Sequence, residues 1–523
     1  MRLHLLVGGF SAVAVLSCAS SNTNGGSPSG SDAPTGSDAS SGGSSGGSAS
    51  SGGSGSSSGG GSSSGSGGGS GGSSDGGASS GASSGSGGGS GGSSDGGASS
   101  GTSSGSGGGS GGSSDGGSSG AGVGQPDGGT AENTGAGCPP ITEPAFSALP
   151  TIASLPDPFT SVSGTNITKK SDWTCRREEL LDQLQDWELG KKTPATSTVT
   201  GSVSGGTITV NVASGGKSIS FAPTVTLPSS GKAPYPVMIG VNGVFLNTTA
   251  LAQQGVAVVN FPADDLGAEN SASSRGQGKF FTLFGADAGA GATIAWAWGI
   301  SRFIDFLEAN PSAQLDPTRV GVTGCSRNGK GALVAGAFDE RIVLTIPQES
   351  GGGGSASWRI TDAFNAALPA GEMTTSFEGQ PLSEIIGENA WFSSTLNQFS
   401  GHTTQLPFDH HELEGLVAPR ALLVIENDIN WLSPLSSFEG STAANTIWQA
   451  LGIPDHMAYS LYGNHAHCSF PAAQQPDVDA YVLKFLVGGG TANTAFLKAT
   501  NSTAYTYTYD TAKWQPWTVP MLQ

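Results

Sequence analysis

Between Ala19 and Gly137 the chain contains no Trp, Tyr, Phe or Leu. A segment of Gly and Ser with scattered Asp cannot bury enough apolar surface to offset the entropy of ordering it, which excludes a packed core there. A crude twenty-residue repeat is visible as "GGSSDGGASS" at 71–80 and 91–100 and as "GGSSDGGSSG" at 111–120. It lacks the apolar residues with which solenoid repeats stack. The expectation for residues 19–137 is a disordered tether, with an rms span of about 60 Å.

Basic charge is scarce as well. Lys and Arg number 21 against 40 Asp and Glu, a formal charge of -19. Nucleic-acid binding needs clustered cations, so that class is excluded, and the dispersed acidic excess reads as a solvated surface. An apolar run long enough to cross a bilayer is also missing. "MRLHLLVGGFSAVAVLSC" has Arg2, an apolar stretch from Leu5 to Leu16, then Ser17 and Cys18. That is too short to span and reads as a signal peptide over residues 1–18. "VLSC" resembles a bacterial lipobox, whose Cys is lipidated after cleavage; an ordinary signal peptide cut nearby is the alternative. Either way the protein is expected to be exported, as an outer-membrane or cell-surface lipoprotein or else as a secreted protein. It is expected to be a monomer that meets membrane only through that lipid. Cysteine is sparse: with Cys18 lipidated, Cys138, Cys175, Cys325 and Cys468 remain, and four can pair completely in an oxidising compartment.

What is present lies in residues 138–523, which hold all ten Trp. A helical run, "DWTCRREELLDQLQDWELG", places Leu180, Leu181, Leu184 and Trp187 on one face. "GTITVNV" and "KSISFAPTVTL" alternate as antiparallel strands do. Then "PVMIGV", "VAVVNF", "RVGVTG", "RIVLTIP" and "RALLVIEN" follow, short β-branched runs typical of strands buried on both faces. The amphipathic "ATIAWAWGISRFIDFLEA" lies between the second and third. Strands alternating with helices predict an α/β fold with a mostly parallel, doubly wound sheet.

"RVGVTGCSRNGKGALVAGAF" supplies strand, tight turn and helix, and admits two chemistries. Gly324-x-x-x-x-Gly329-Lys330 is most of a phosphate-binding loop. That loop needs Ser or Thr after Lys to ligate Mg²⁺, and the position is Gly331. The alternative is a nucleophile elbow presenting Ser326, irregular because the second glycine comes three residues after the serine instead of two. Gly324 allows the turn, and Ser326 would sit at a helix N-terminus whose dipole favours a developing oxyanion. Lys330, one helical turn on, would face the same cleft. On this motif alone Ser326 serves equally well as a helix cap.

A serine nucleophile needs a base and an orienting acid. "YGNHAHCSF" offers His465 and His467 after the last strand candidate, "HMAYSLY". His467 directly precedes Cys468, and Ser326 directly follows Cys325. A Cys325–Cys468 bridge would staple base to nucleophile and leave Cys138 to pair with Cys175. Glu349, in "IPQESGGGG" at a strand end, is the acid candidate; Asp428, in "IENDINW", is its rival. The order Ser…Glu…His is that of an α/β hydrolase.

"GCSRNGKGA", "PQESG", "SEIIGE", "LPFDHH" and "NHAHCSFP" together resemble the glucuronoyl esterases, carbohydrate esterase family fifteen, from about Leu155 to Val487. The resemblance implies a bacterial member with an α/β-hydrolase three-layer sandwich. It also implies cleavage of the ester between 4-O-methyl-glucuronic acid of glucuronoxylan and lignin alcohols. It places the nucleophile on Ser326, the acid on Glu349, the base on His467 and an oxyanion-stabilising role on Arg327. Lys330, Gln380, Glu388 and Trp431 become sugar contacts, chemically apt because neutral hydroxyls need paired donors and acceptors and Trp packs on a ring. No metal or organic cofactor is expected; without Cys or His partners at ligand spacing, His410 and His411 read as structural.

The chain departs from fungal members of that family at three places. It has Ser357 where they carry Cys before "WR", and "SPLSSFEG" lacks the partner Cys. It also has about eight extra residues around "ALPAGEMTTSFEG", where an enlarged loop would reshape the cleft rim. Two other functions compete: a general carboxylesterase for acetyl, feruloyl or polyester substrates, disfavoured by the polar contact set, and a non-catalytic carbohydrate-binding lipoprotein.

Overall fold

The β-branched runs become strands of one mixed sheet because each can bury both faces. The computed structural model describes residues 131–135, 137–193, 197–369 and 377–523. The N-terminal apolar run, Cys18, nearly all of the Gly/Ser segment and the middle of "ALPAGEMTTSFEG" lie outside these residues. Eleven strands follow in chain order: β1 Thr198–Ser204, β2 Thr207–Ser214, β3 Lys217–Phe221, β4 Thr224–Thr226, β5 Tyr235–Val241 and β6 Ala257–Phe261. Then come β7 Leu315–Cys325, β8 Ile342–Gln348, β9 Ala421–Glu426, β10 Met457–Tyr462 and β11 Leu497–Thr500. The sheet order is β1-β2-β4-β6-β5-β7-β8-β9-β10-β11, with β3 beside β2. Pairings among β1–β4 and between β4 and β6 are antiparallel. From β6 across to β11 every pairing is parallel.

Side chains on β5 alternate between two cores, as the period of a strand requires. Val237 and Ile239 join the larger one and Met238 the smaller. The first is covered by helices Ala292–Ala309 and Arg327–Phe338, the second by Gln475–Tyr481 and its continuation to Val487. This is the expected three-layer α/β sandwich. A Cβ on Gly331 would lie 2.6 Å from Trp296, so the position where a phosphate loop would carry its hydroxyl is instead a helix-packing glycine.

The N-terminal helical run forms as Lys170–Leu184, continued by a wider turn to Leu189, and buries Leu180, Leu181, Leu184 and Trp187. Cys175 on this helix is bridged to Cys138, with Cα atoms 5.4 Å apart. Ordered contacts begin before Cys138, the start expected from composition. Glu132 lies 2.6 Å from Lys192 and also pairs with Arg302, while Thr134 N–H donates to Glu340 at 2.8 Å. One carboxylate among cations needs no apolar neighbours, so composition gave no sign of it. Where the fungal-type bridge is missing, Ser436 Oγ donates to Ser357 O at 2.8 Å, and Ser357 caps the helix Trp358–Ala367. Among the described residues no helix is long and apolar enough to cross a membrane.

Candidate active site

The parallel strands end together on one edge of the sheet, where their loops converge, as open α/β sheets place sites. β7 stops at Cys325 and the helix Arg327–Phe338 starts two residues later, so Ser326 must absorb the whole turn. It does so at φ 61°, ψ -130°, a conformation that costs an L-residue of order 1–3 kcal/mol. Its N–H donates to Gln348 O at 2.9 Å, and its carbonyl accepts from Gly329 and Lys330 at 2.8 and 3.1 Å. A Cβ on Gly324 would strike Asn328 O, and one on Gly329 would lie 2.7 Å from Gln348 O. The irregular G-x-S-x-x-G spacing therefore has a steric origin, since its second glycine lets the helix approach the end of β8.

Glu349 follows β8 at φ 47° and is almost fully buried. Its Oε2 accepts from His467 Nδ1 at 2.7 Å and from the N–H of Cys468 at 2.9 Å. A carboxylate partner makes Nδ1 the protonated nitrogen and leaves Nε2 free to accept a proton. Gln348 Nε2 lies 3.3 Å from Glu349 Oε1, adding a donor to the acid. Cys325 and Cys468 are bridged, with Cα atoms 5.7 Å apart, so the residue before Ser326 is bonded to the residue after His467. Potential ligand atoms of Cys325, Glu349, His467 and Cys468 lie within 4.8 Å of one another. A disulfide offers no thiolate, and Glu349 and His467 are already engaged with each other, so this cluster is a carboxylate–imidazole pair beside a disulfide.

Asp428, the rival acid, makes a different contact. Asp428 Oδ1 accepts the N–H of Asn464 at 2.9 Å, bracing the start of the loop that carries His467. His465 stands 4.0 Å from Glu349 Oε1 and accepts, through its carbonyl, a hydrogen bond from Asn427 at 3.1 Å.

On the other side of Ser326, Lys330 is only 1 % exposed. Its Nζ donates to Ser350 O at 2.6 Å and Gln380 Oε1 at 3.1 Å and lies 5.0 Å from the Trp391 ring centre. Burial pulls its pKa down to about 8, against the opposing charges of Glu388 and Glu426. Glu388 closes the helix Leu382–Glu388; burial pushes its carboxyl up while Lys330 holds it down. Trp431 is 41 % exposed, with its ring centre 4.6 Å from that of His467 at 76°. Arg327 Nε lies 2.7 Å from Glu269 Oε1, an ion contact lacking the alignment of a full hydrogen bond.

The structure thus brings Glu349 to His467, Cys325 to Cys468, Lys330 to Gln380 and Trp431 to His467. It adds Glu269, Trp391 and Glu426, which sequence reasoning missed. Glu426, at the end of β9, accepts from Ser355 Oγ at 2.6 Å and Ser350 N–H at 3.0 Å, holding the glycine-rich loop that follows Glu349. The only signal in the sequence was a charged residue closing an apolar strand. His410 lies between Gly354 O at 2.6 Å and Glu188 at 3.0 Å, and His411 Nε2 meets Pro156 O at 2.9 Å, so both act as buried ties.

Residues 210–452 match the family described as glucuronyl esterase, fungi. The 4-O-methyl-glucuronoyl methylesterase of Hypocrea jecorina is 49% identical over 388 residues, covering 74% of this chain and 80% of that protein. The solved Hypocrea jecorina glucuronoyl esterase catalytic domain aligns with TM-score 0.68 at 48% identity, over 73% of this chain and 100% of that one. A mutant Sporotrichum thermophile glucuronoyl esterase, in complex with methyl 4-O-methyl-β-D-glucopyranuronate, aligns at 0.65 and 42% identity, over 72% and 97% of the two chains. With Ser326, Glu349 and His467 gathered on the loops of a parallel sheet, and with this identity across most of the relatives' length, the chain belongs to the glucuronoyl esterases.

Proposed function

We propose that the chain hydrolyses the ester joining (4-O-methyl-)glucuronic acid of glucuronoxylan to a lignin alcohol, through a Ser326–His467–Glu349 triad. The observation that carries this reading is the Glu349–His467 hydrogen bond, with His467 tied to the Ser326 elbow by the Cys325–Cys468 bridge.

His467 Nε2 takes the Ser326 hydroxyl proton as Oγ attacks the C6 carbonyl, and Glu349 stabilises the imidazolium through Nδ1. Negative charge gathers on the carbonyl oxygen, where Arg327 and N–H groups at the helix N-terminus offset it. The bond to the alcohol oxygen breaks, and that oxygen leaves with the proton from His467. Water then attacks the acyl-enzyme, its proton passing through His467 to Ser326, and the free uronate departs. Lys330, Gln380, Glu388 and Trp431 hold the sugar. The relative's bound methyl glucuronate ester has the carbonyl and hydroxyls this arrangement requires.

Benzyl glucuronate should be turned over in preference to p-nitrophenyl acetate, and Ser326→Ala should abolish both activities. Better turnover of the acetate would favour the general carboxylesterase, and activity persisting in Ser326→Ala would remove the mechanism. The lipobox-like "VLSC" supports a bacterial, lipid-anchored origin. Wild type should partition into membranes and Cys18→Ala should not; identical soluble behaviour would count against the anchor.

A further inference from the structure

Arg327 sits on the first turn of its helix with a side chain 36% exposed. An arginine so placed has many rotamers open to it and needs a partner to hold its guanidinium in one place. We propose that Glu269 is that partner, a positioning residue that locks Arg327 for the oxyanion and does so through Trp391. This rests on the proposed reading of Arg327.

Glu269 is buried, in the loop after β6, and its two oxygens face two donors. Oε1 meets Arg327 Nε at 2.7 Å, and Oε2 accepts from Trp391 Nε1 at 2.8 Å. Contact through Nε leaves the two terminal guanidinium nitrogens uncommitted to Glu269. Trp391 is itself fixed, since its carbonyl accepts from Thr293 Oγ1 at 2.8 Å and Thr293 N–H at 3.1 Å at the start of the buried helix Ala292–Ala309. The face of the same indole stands 5.0 Å from Lys330 Nζ. One Glu–Trp pair therefore references two cations of the nucleophile helix, Arg327 and Lys330, to a second helix. Burial raises the pKa of Glu269, and Arg327 and Trp391 oppose the rise by favouring its charged form.

Glu269 could in principle act only by neutralising Arg327, and the amide variant separates the two roles. Glu269→Gln keeps the shape but offers one acceptor where two donors point, and it leaves the arginine charge uncancelled. If Glu269 positions Arg327, kcat should fall about 10- to 100-fold on both benzyl glucuronate and p-nitrophenyl acetate. KM for the glucuronate should change less than kcat, because Lys330 keeps its own hydrogen bonds to Ser350 O and Gln380 Oε1. Glu269→Gln combined with Arg327→Ala should be no slower than Arg327→Ala alone. Unchanged or raised kcat in Glu269→Gln, or additive losses in the double variant, would overturn the proposal. Should Glu269→Gln fold poorly, Trp391→Phe carries the same test, since it removes the N–H that Glu269 accepts and leaves an aromatic ring, smaller than the indole, at that position. A kcat loss that vanishes in the Arg327→Ala background supports the linkage; one that persists, or that falls on KM alone, overturns it. The acetate reports the oxyanion step without the sugar. Failure on glucuronate with this pattern intact on acetate would count against the proposed function and leave the positioning role standing.

Discussion

The two ends of the helix Arg327–Phe338 carry opposite chemistry. At its C-terminal end each of the last three carbonyls meets a cation. Arg420 donates to Gly336 O at 2.6 Å, Arg177 to Ala337 O at 3.0 Å and Lys192 to Phe338 O at 2.7 Å. Nearby, Arg341 pairs with Asp339 at 2.8 Å and Asp305 at 2.7 Å. At the N-terminal end Ser326 makes no side-chain cap, and the first turn carries no acid. The helix dipole is thus answered with positive charge at its negative pole and left unanswered at its positive pole. Around that pole Ser326, Glu349, Gln380 and Cys468 all have positive φ. Stability is concentrated at one end of the element, and the end where an oxyanion would form carries the strain.

The largest effect should come from removing the strained residue itself. Ser326→Gly should cost about 10⁴- to 10⁶-fold in turnover, yet raise the melting temperature, because glycine adopts φ 61° without penalty. A lower melting temperature would show that the strain does not reside at the elbow. Next is the opposite end. Arg420→Met strips donors from Gly336 O, Asp339 O and Ile342 O and should cost about 2–4 kcal/mol in denaturant unfolding. At a temperature where the variant is folded its kcat should match wild type, and a matching loss of kcat would dissolve the division between the two ends.

Acidity divides the two ends further. On the site side, burial pushes Glu426 and Glu378 up to about 8. At the far end Asp339 and Glu340, despite burial, are held below the usual carboxylate range by Arg341 and Arg177. For the raised pair the folded state keeps protons that the unfolded chain releases above about 4.5. Their stabilisation is present below that pH and is lost as pH rises toward 8. For the lowered pair the sign reverses, and stabilisation disappears as pH falls through their depressed values. Melting temperature across pH should therefore peak in the mildly acidic range and decline toward pH 8. Glu426→Gln, a mimic of the protonated acid, should flatten part of the alkaline decline, the smallest effect of the series. An unaltered profile would show that Glu426 is ionised in the folded protein.

The strands from β5 to β9 were legible because each is an apolar β-branched run bounded by turn residues, whereas β10, "MAYSLY", has no β-branched residue and was legible as a short apolar and aromatic run. β1, "TVTGSVS", was not, since it is exposed along nearly all its length and held by pairing with β2 instead of by burial. β11, an edge strand of four mostly half-buried residues, was missed because it is too short to show a strand period. Within the site, Ser326 and His467 were legible because each is covalently next to a cysteine of one bridge. Glu269 was not: it lies 122 residues from Trp391 in a polar loop with no periodic pattern.

By itself the sequence determined the strand–turn–helix order around Ser326, the residue types gathered there and the adjacency of His467 to a bridge cysteine. These are properties of neighbouring residues, set by local sterics and side-chain chemistry. Tertiary structure decided that Glu349 and not Asp428 holds His467, that Glu269 meets Arg327, and that three cations close the far end of the helix Arg327–Phe338. Each of these pairings joins residues far apart in the chain, and no local rule brings them together. They exist because burying the sheet leaves charges at both its edges, and each buried charge must find a partner.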